Sequence, residues 1–97
     1  MATGLGTAII DFGGGQGSNE ATVIVTGQSA ISVTSKCHAY FMGDDTTPTH
    51  SAEDHRYAAA LMGLTCGTPT ALLGFTIHAR SFQKLTGQFS LRFVWAD

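Results

Sequence analysis

The segment QFSLRFVWA, residues 88–96, constrains the fold of this chain most strongly because a large apolar side chain stands at every second position from Phe89 to Trp95. The apolar positions are Phe89, Leu91, Phe93 and Trp95, and the polar positions are Gln88, Ser90 and Arg92. A period of two residues predicts a β-strand with one buried face. Full burial of the four apolar side chains would stabilise the fold by very roughly 6–12 kcal/mol, so we expect this strand to carry the core.

Further strands are predicted from shorter alternating or β-branched segments. They lie at residues 7–12, 21–27, 36–43, 57–66 and 74–80, with an extended stretch at 29–36 and a connection at 81–87. In the first strand Ala8, Ile10 and Phe12 share one face, and in the second Val23 and Val25 do so. The chain is therefore predicted to be all-β: a small antiparallel β-sandwich or barrel of six to seven strands with one short helical turn.

The strand at residues 36–43 carries apolar side chains on both faces, which predicts that it is covered on two sides. His38 is accordingly predicted to be a partly buried histidine with satisfied hydrogen bonds and not a metal ligand. Cys37 and Cys66 are far apart and stand in apolar surroundings, so they are predicted to be buried, reduced thiols. Without a Cys-x-x-Cys spacing, neither a zinc nor a thioredoxin-like site is expected.

The glycine-rich stretch GGGQGSN, residues 13–19, predicts a turn or an extended arm. It lacks the lysine of a Walker loop, and Ser18 stands where a dinucleotide fingerprint needs glycine, so it is not expected to bind phosphate. The predicted organisation is an extended N-terminal strand and arm at residues 1–20, followed by a β-sandwich domain at residues 21–97. The arm is expected to lie across a neighbouring subunit.

The segment DDTTPTHSAEDHRY, residues 44–57, is the strongest candidate for a metal or catalytic site, because it combines acidic residues with His50 and His55. Two zinc ligands on one helix face need a spacing of three or four residues, whereas these histidines are five apart. The opening Asp44 and Asp45 pair does not supply the alternating ligands and glycine turn of a calcium loop. No nucleophile motif accompanies the segment.

A structural interpretation accounts for the same residues. Ser51 and Asp54 have the Ser-x-x-acid spacing of a helix capping box, and Glu53 and Asp54 place negative charge in the first turn. We therefore predict a single helical turn near residues 51–55 that is exposed and non-catalytic. No catalytic, cofactor-binding or metal-binding residue is predicted anywhere in the chain, no cofactor is expected, and the protein is predicted not to be an enzyme.

The charge content restricts the partners. Charged residues are only 12% of the chain and the net charge is -2, with basic residues scattered at Lys36, Arg56, Arg80, Lys84 and Arg92. Without a basic stripe, nucleic-acid binding is not expected. Neither a long apolar run nor a signal peptide is apparent, so the chain is expected to avoid membranes and to be made in the cytoplasm. A surface this low in charge suits faces that are covered in an assembly.

Four segments together resemble a group of small virion structural proteins of tailed bacteriophages. They are GTAIIDFGGGQGSNEATVIVTGQSAI, AYFMGDDTTPTHSAEDH, GFTIHARS and GQFSLRFVWAD, and they span nearly the whole chain. The shared features are a first strand ending in an Asp-Phe-Gly-like turn, a Val-Thr-Gly-Gln step, an Asp…His-Ser-Ala-acid-x-His loop, a Gly-Phe-Thr-Ile strand and an aromatic-rich last strand.

The resemblance implies a β-rich coat or tail component without catalysis, located in the virion and made in the host bacterial cytoplasm. The leading hypothesis is a capsid decoration (cement) protein that stabilises the head through contacts with the major capsid protein or other virion proteins, as a homo-oligomer. One alternative is a tail or tail-associated structural component. Another is a host-receptor or carbohydrate-binding module that uses Tyr40, Tyr57 or Trp95.

Overall fold

The strand predicted most strongly from the sequence, Gln88–Ala96, is the central strand of one of two antiparallel sheets that pack face to face. The structure, a computed structural model, describes residues 2–97. Its elements are β1 (Thr3–Asp11), β2 (Ser18–Val25), β3 (Lys36–Tyr40), α1 (Ala52–Leu61), β4 (Met62–Cys66), β5 (Phe75–Leu85) and β6 (Gln88–Ala96). Sheet A has the strand order β1-β6-β3 and sheet B the order β2-β5-β4. The prediction of an all-β antiparallel fold is confirmed.

The core lies between the two sheets and is centred on β6. Phe89, Leu91, Phe93 and Trp95 are all buried, as the alternation predicted. From sheet B, β5 turns Phe75, Ile77 and Ala79 toward them, and the rings of Phe75 and Phe93 meet edge to face with centroids 5.4 Å apart. The predicted inward faces of the first two strands are also confirmed: Ile10, Phe12 and Val25 are buried.

Two glycines of β1 make room for the aromatic rings of β6. Gly4 pairs with Trp95, and Gly6 pairs with Phe93. A Cβ atom placed on Gly6 would lie 2.7 Å from Cζ of Phe93, and one placed on Gly4 would collide with the Trp95 indole. Because both rings are buried, they have little freedom to move aside. Glycine at these positions therefore lets the rings lie directly over the neighbouring strand.

The two sheets meet along two seams, where β1 lies beside β2 and β3 lies beside β4. Cys37 and Cys66 lie at the β3–β4 seam, line the same cavity and are free thiols. Both side chains are partly exposed, so the prediction of full burial is wrong. Burial raises the pKa of the Cys37 thiol. The pKa of the Cys66 thiol is raised mainly by burial and, to a smaller extent, by the nearby Cys37.

The helix is longer than the sequence predicted. It begins after Ser51, as expected, but continues for ten residues to Leu61, and β4 begins at Met62 without a connecting loop. The prediction of a strand from residue 57 is thus wrong for 57–61. Ala58 is buried, and the alanine run has the high helix propensity that carries the helix onward once the cap has started it.

Three other assignments are corrected. Residues 29–35 form turns and irregular backbone, with N–H groups of Ile31 and Ser35 bonded three residues back, so the extended stretch predicted there is absent. Residues 81–85 belong to β5 and are not a connection. The third strand ends at Tyr40 and is an edge strand of sheet A. The prediction that it is covered on two sides is wrong, because His38 lies on the outer face of the sheet and is exposed, not partly buried.

The predicted arm at residues 1–20 contains β1 and a glycine loop that folds back onto its own chain. The Phe12 N–H donates to the Gly87 carbonyl at 2.9 Å, and the Gly87 N–H donates to the Gly13 carbonyl at 2.8 Å. Gly13 and Gly15 adopt positive φ angles that favour glycine. The β1–β2 loop is thereby attached to the β5–β6 turn at one end of the sandwich. Contact with a neighbouring subunit stays a prediction.

The close approach at Gly6 makes a direct test of this packing. We expect Gly6→Ala to lower the free energy of unfolding by about 1–3 kcal/mol, because the new methyl group forces the buried Phe93 ring to shift. Gly14→Ala is the matched control, since a Cβ atom there meets open space. It should leave stability unchanged or raise it by up to about 1 kcal/mol. Urea unfolding followed by tryptophan fluorescence measures both, and equal stabilities would contradict this account.

Candidate functional site

The segment at residues 44–57 begins helix α1 with the capping box that its sequence predicts. The Asp54 N–H donates to Oγ of Ser51 at 3.3 Å, and the Ser51 N–H donates to Oδ2 of Asp54 at 3.2 Å. His50 also contacts Oδ2 of Asp54 through Nδ1 at 3.1 Å. The hydrogen bond from His50 and then that from the Ser51 backbone lower the pKa of Asp54. The carboxylate therefore serves the helix start.

His55 is fully buried, so the prediction that this helical turn is exposed is wrong for this residue. Its Nε2 accepts a hydrogen bond from the Ser90 N–H of β6 at 2.9 Å, and its Nδ1 donates to the Ser51 carbonyl at 2.8 Å. The ring is therefore the neutral tautomer with the proton on Nδ1. β3 pairs with β6 only as far as Tyr40 opposite Arg92. His55 thus provides a hydrogen-bond acceptor for a backbone N–H of β6 just beyond the point where β3 ends.

The two histidines of this segment enclose the ring of Phe89. The His50 ring stacks on Phe89 with centroids 4.1 Å apart and planes inclined by 12°, while the His55 ring meets it edge-on at 5.2 Å. Phe12 and Phe41 add further edge contacts to the same ring, at 5.9 and 6.3 Å. The five rings form one cluster, which we call the Phe89 cluster. It attaches the start of α1 to the core.

A second contact attaches the beginning of the segment to sheet A. Arg92 donates from Nη2 to Oδ1 of Asp45 at 2.9 Å and from Nε to Oδ2 at 3.2 Å, a two-point arrangement that fits a guanidinium and a carboxylate. The Arg92 hydrogen bond lowers the pKa of Asp45 below its ordinary value. Asp44 is fully exposed, with its nearest basic group 3.8 Å away on Arg56.

These contacts assign the polar residues of the segment to structure. His50, His55 and Asp45 each bond to a backbone group or to a partner of opposite charge. Among residues 2–97 no group of three or more His, Cys, Asp or Glu side chains is placed to hold a metal ion. The arrangement can orient a helix and close the end of a sheet.

The aromatic residues considered for ligand binding do not form one platform. Trp95 is buried in the core, and its Nε1 donates to Oε1 of Gln28 at 3.0 Å. Tyr40 is half-buried on β3 beside His38, with ring centroids 5.9 Å apart. Tyr57 is exposed on helix α1. The hypothesis of a receptor- or carbohydrate-binding module therefore cannot use Trp95, because this side chain is buried.

The outer surfaces carry apolar side chains that the sequence reasoning did not identify as functional. The largest exposed fractions belong to Phe82 at 90%, Leu5 at 80%, Leu72 at 75% and Ile24 at 69%. Leu5 and Ile24 occupy outward positions of β1 and β2, where the alternation itself could have located them. Phe82 continues the outward alternation of His78 and Arg80 along β5, but its segment was predicted to be a connection and not a strand.

Comparisons of the chain with protein-family models, with curated proteins and with solved structures find no match. Within the part of the chain that the structure describes, no helix is long and apolar enough to span a membrane.

The contrast between the two histidines gives a test of the structural interpretation. We expect His55→Ala to lower the free energy of unfolding by about 2–4 kcal/mol, because it leaves a cavity and deprives the partly buried Ser90 N–H of its acceptor. His50→Ala loses ring stacking and exposed hydrogen bonds to Asp54 and the Thr86 carbonyl, and it should cost only about 1 kcal/mol. Chemical denaturation measures both, and a His55→Ala protein as stable as wild type would refute the bridging role.

The Asp45–Arg92 pair predicts a dependence of stability on pH. Because the folded state lowers the pKa of Asp45, the pair stabilises the fold fully above the ordinary aspartate pKa of about 3.9. That contribution is lost as the pH falls through the lower folded-state pKa. Asp45→Asn should therefore lower the urea midpoint at pH 7 and flatten its decline in acid, whereas Asp44→Asn should change neither. An unaltered acid profile in Asp45→Asn would count against the pair.

Proposed function

We propose that this chain is a structural protein of a bacteriophage virion, and in particular a capsid decoration (cement) protein that stabilises the head through subunit contacts. The proposal rests on the resemblance of four segments to small virion proteins, together with the character of the surface. The antiparallel sandwich, which is shown, is compatible with this role but is shared by proteins of many functions.

The observation that carries the proposal is the exposure of large apolar side chains on both sides of the sandwich. Leu5 projects from the outer face of sheet A and Ile24 from that of sheet B, while Leu72 projects from the turn between β4 and β5. Charged residues make up only 12% of the chain, so few charges solvate these surfaces. Exposed apolar surface of this kind is typical of proteins that are covered by partners.

The 44–57 segment also supports a structural role, because most of its polar side chains stabilise the fold. Asp54 caps α1, both imidazoles belong to the Phe89 cluster, and Asp45 pairs with Arg92. These structural roles support a function carried by the surfaces of the domain. A decoration protein acts through many repeated contacts, each of which can be weak because multivalency multiplies their effect.

The test is made on particles of the phage whose genome encodes the chain, with and without its gene. We expect the chain in purified wild-type particles. Particles without it should assemble but release their DNA at a lower temperature and after milder salt shock. Adding purified wild-type chain should restore the stability. Particle stability that is unchanged by the deletion, or filled heads that lack tails, would overturn the decoration role.

A variant with reduced apolar exposure sharpens this test. Leu5→Thr, Ile24→Thr and Leu72→Asn together replace exposed side chains, so the domain should still fold, and asparagine tolerates the positive φ of 65° at position 72. This triple variant should restore particle stability less well than wild type. Gly14→Ala, which alters no exposed apolar side chain, should restore it fully, and equal restoration by both would refute the surface argument.

A further inference from the structure

The outer face of sheet B contains an irregularity that displays one aromatic side chain. Ser18 pairs with Leu85 and Glu20 pairs with Arg80, so Asn19 of β2 stands opposite residues 81–84 of β5. This bulge is ordered by its own hydrogen bonds: Asn19 Nδ2 donates to the Ser81 carbonyl at 3.1 Å, and the Gln83 N–H donates to Oγ of Ser81 at 3.2 Å. Phe82 lies in the bulge and is 90% exposed. Its side chain continues the outward series of His78 and Arg80 along β5.

A recess lies beside Phe82 on the same face. Arg80 stands between Glu20 of β2 and Gly63 of β4, and a Cβ atom on Gly63 would meet nothing within 4 Å. The groove along these positions has a volume of about 350 Å³ and includes Thr65 and His78 in its lining. A smaller cavity of about 240 Å³ joins Gly63 directly to Phe82. Each volume is sufficient for a phenyl ring.

We propose that the outer face of sheet B is a self-association interface in which a second copy of this chain is the occupant. Phe82 and the recess over Gly63 are adjacent on one surface. A two-fold axis lying in the plane of the interface between them would therefore seat each Phe82 in the recess of the other copy, as an isologous contact requires. The inference deepens and rests on the proposed assembly role, since it names the surface that joins one copy to another.

The charges on this face also favour a second copy. Glu20 and Arg80 are largely exposed, and their nearest charged atoms, Oε1 and Nε, are 3.6 Å apart. Because the face presents both signs side by side, two copies can meet without a net like-charge repulsion. The two longer extents of the molecule, 40 and 23 Å, limit any one side to roughly 900 Å². A standard stable interface buries about 800 Å² per partner, so the second copy would have to cover most of that side.

The first experiment measures association of the purified chain by sedimentation velocity over a concentration series. Wild type should dimerise, and Phe82→Ala should raise the dimer dissociation constant at least tenfold because it removes two buried rings. Gly63→Val, which fills the recess without a clash in the single chain, should have the same effect. Leu5→Ala on the opposite sheet is the matched control and should leave the constant unchanged.

The second experiment tests the face by charge and does not depend on the exact register. Glu20→Arg makes the face positive and Arg80→Glu makes it negative, so each variant alone should dimerise more weakly than wild type. Mixed in equal amounts, the two variants should form a heterodimer that weakens as salt is added. Lys36→Glu, on the outer face of sheet A, should leave self-association unchanged and should not bind the Glu20→Arg variant in preference to wild type.

Each outcome decides the inference. The inference would be overturned if the chain stays monomeric at all concentrations. It would also be overturned if Phe82→Ala and Gly63→Val leave the dimer dissociation constant unchanged, or if the two charge variants do not form a heterodimer when mixed. Retained thermal midpoints in the variants exclude unfolding as the cause of weaker association. A dimer that forms through this face while particle stability does not depend on the chain would refute the proposed function alone. A chain that stabilises particles as a monomer would refute the interface alone.

Discussion

The burial of one face of β6 is the constraint on which the rest of this structure depends. As the central strand of sheet A, β6 is paired on both edges, and its four inward side chains occupy the middle of the core. The large aromatic side chains of β6 leave no room for a side chain on the neighbouring strand at two positions. Gly4 and Gly6 of β1 lack a Cβ atom, so Trp95 and Phe93 can lie across them. The contact of Phe93 with Phe75 then joins the two sheets. The first and last strands of the chain are thus specified as a pair.

The polar segment at residues 44–57 covers the end of β6 that β3 leaves unpaired. β3 is shorter than β6, so the end of β6 near Phe89 has no β3 residue beside it. The segment covers that end with the Phe89 cluster, and His55 accepts the Ser90 N–H where a strand carbonyl would otherwise stand. A buried histidine with both nitrogens bonded costs little, whereas an orphaned backbone N–H would be expensive. Residues that resemble a catalytic centre in composition therefore serve the fold.

The features predicted correctly from the sequence share a physical property: each depends on residues close together in the chain. The alternation in β6 and the inward faces of β1 and β2 are read over a few residues, and the Ser51–Asp54 capping box spans one helical turn. Two of the errors in secondary structure arose where the local pattern was ambiguous. In residues 57–61 the alanines favoured helix while the glycine and threonine that follow favoured strand, and the cap at Ser51 decided for helix. For residues 81–85 the loss of alternation indicated a connection, but a strand with a bulge gives the same irregular pattern.

The sequence by itself determined that the chain is a β-protein with an apolar face on each principal strand and one capped helix, because periodicity and capping are properties of neighbouring residues. Only the tertiary structure decided which strands are neighbours, and hence which side chains are covered. His38 is exposed because it lies on the outer face of sheet A, and His55 is buried because α1 reaches the unpaired end of β6. The recess beside Phe82 exists because β2, β5 and β4 meet in one register. Register between segments that are distant in the chain is set by the packing of the whole core, and no local pattern encodes it.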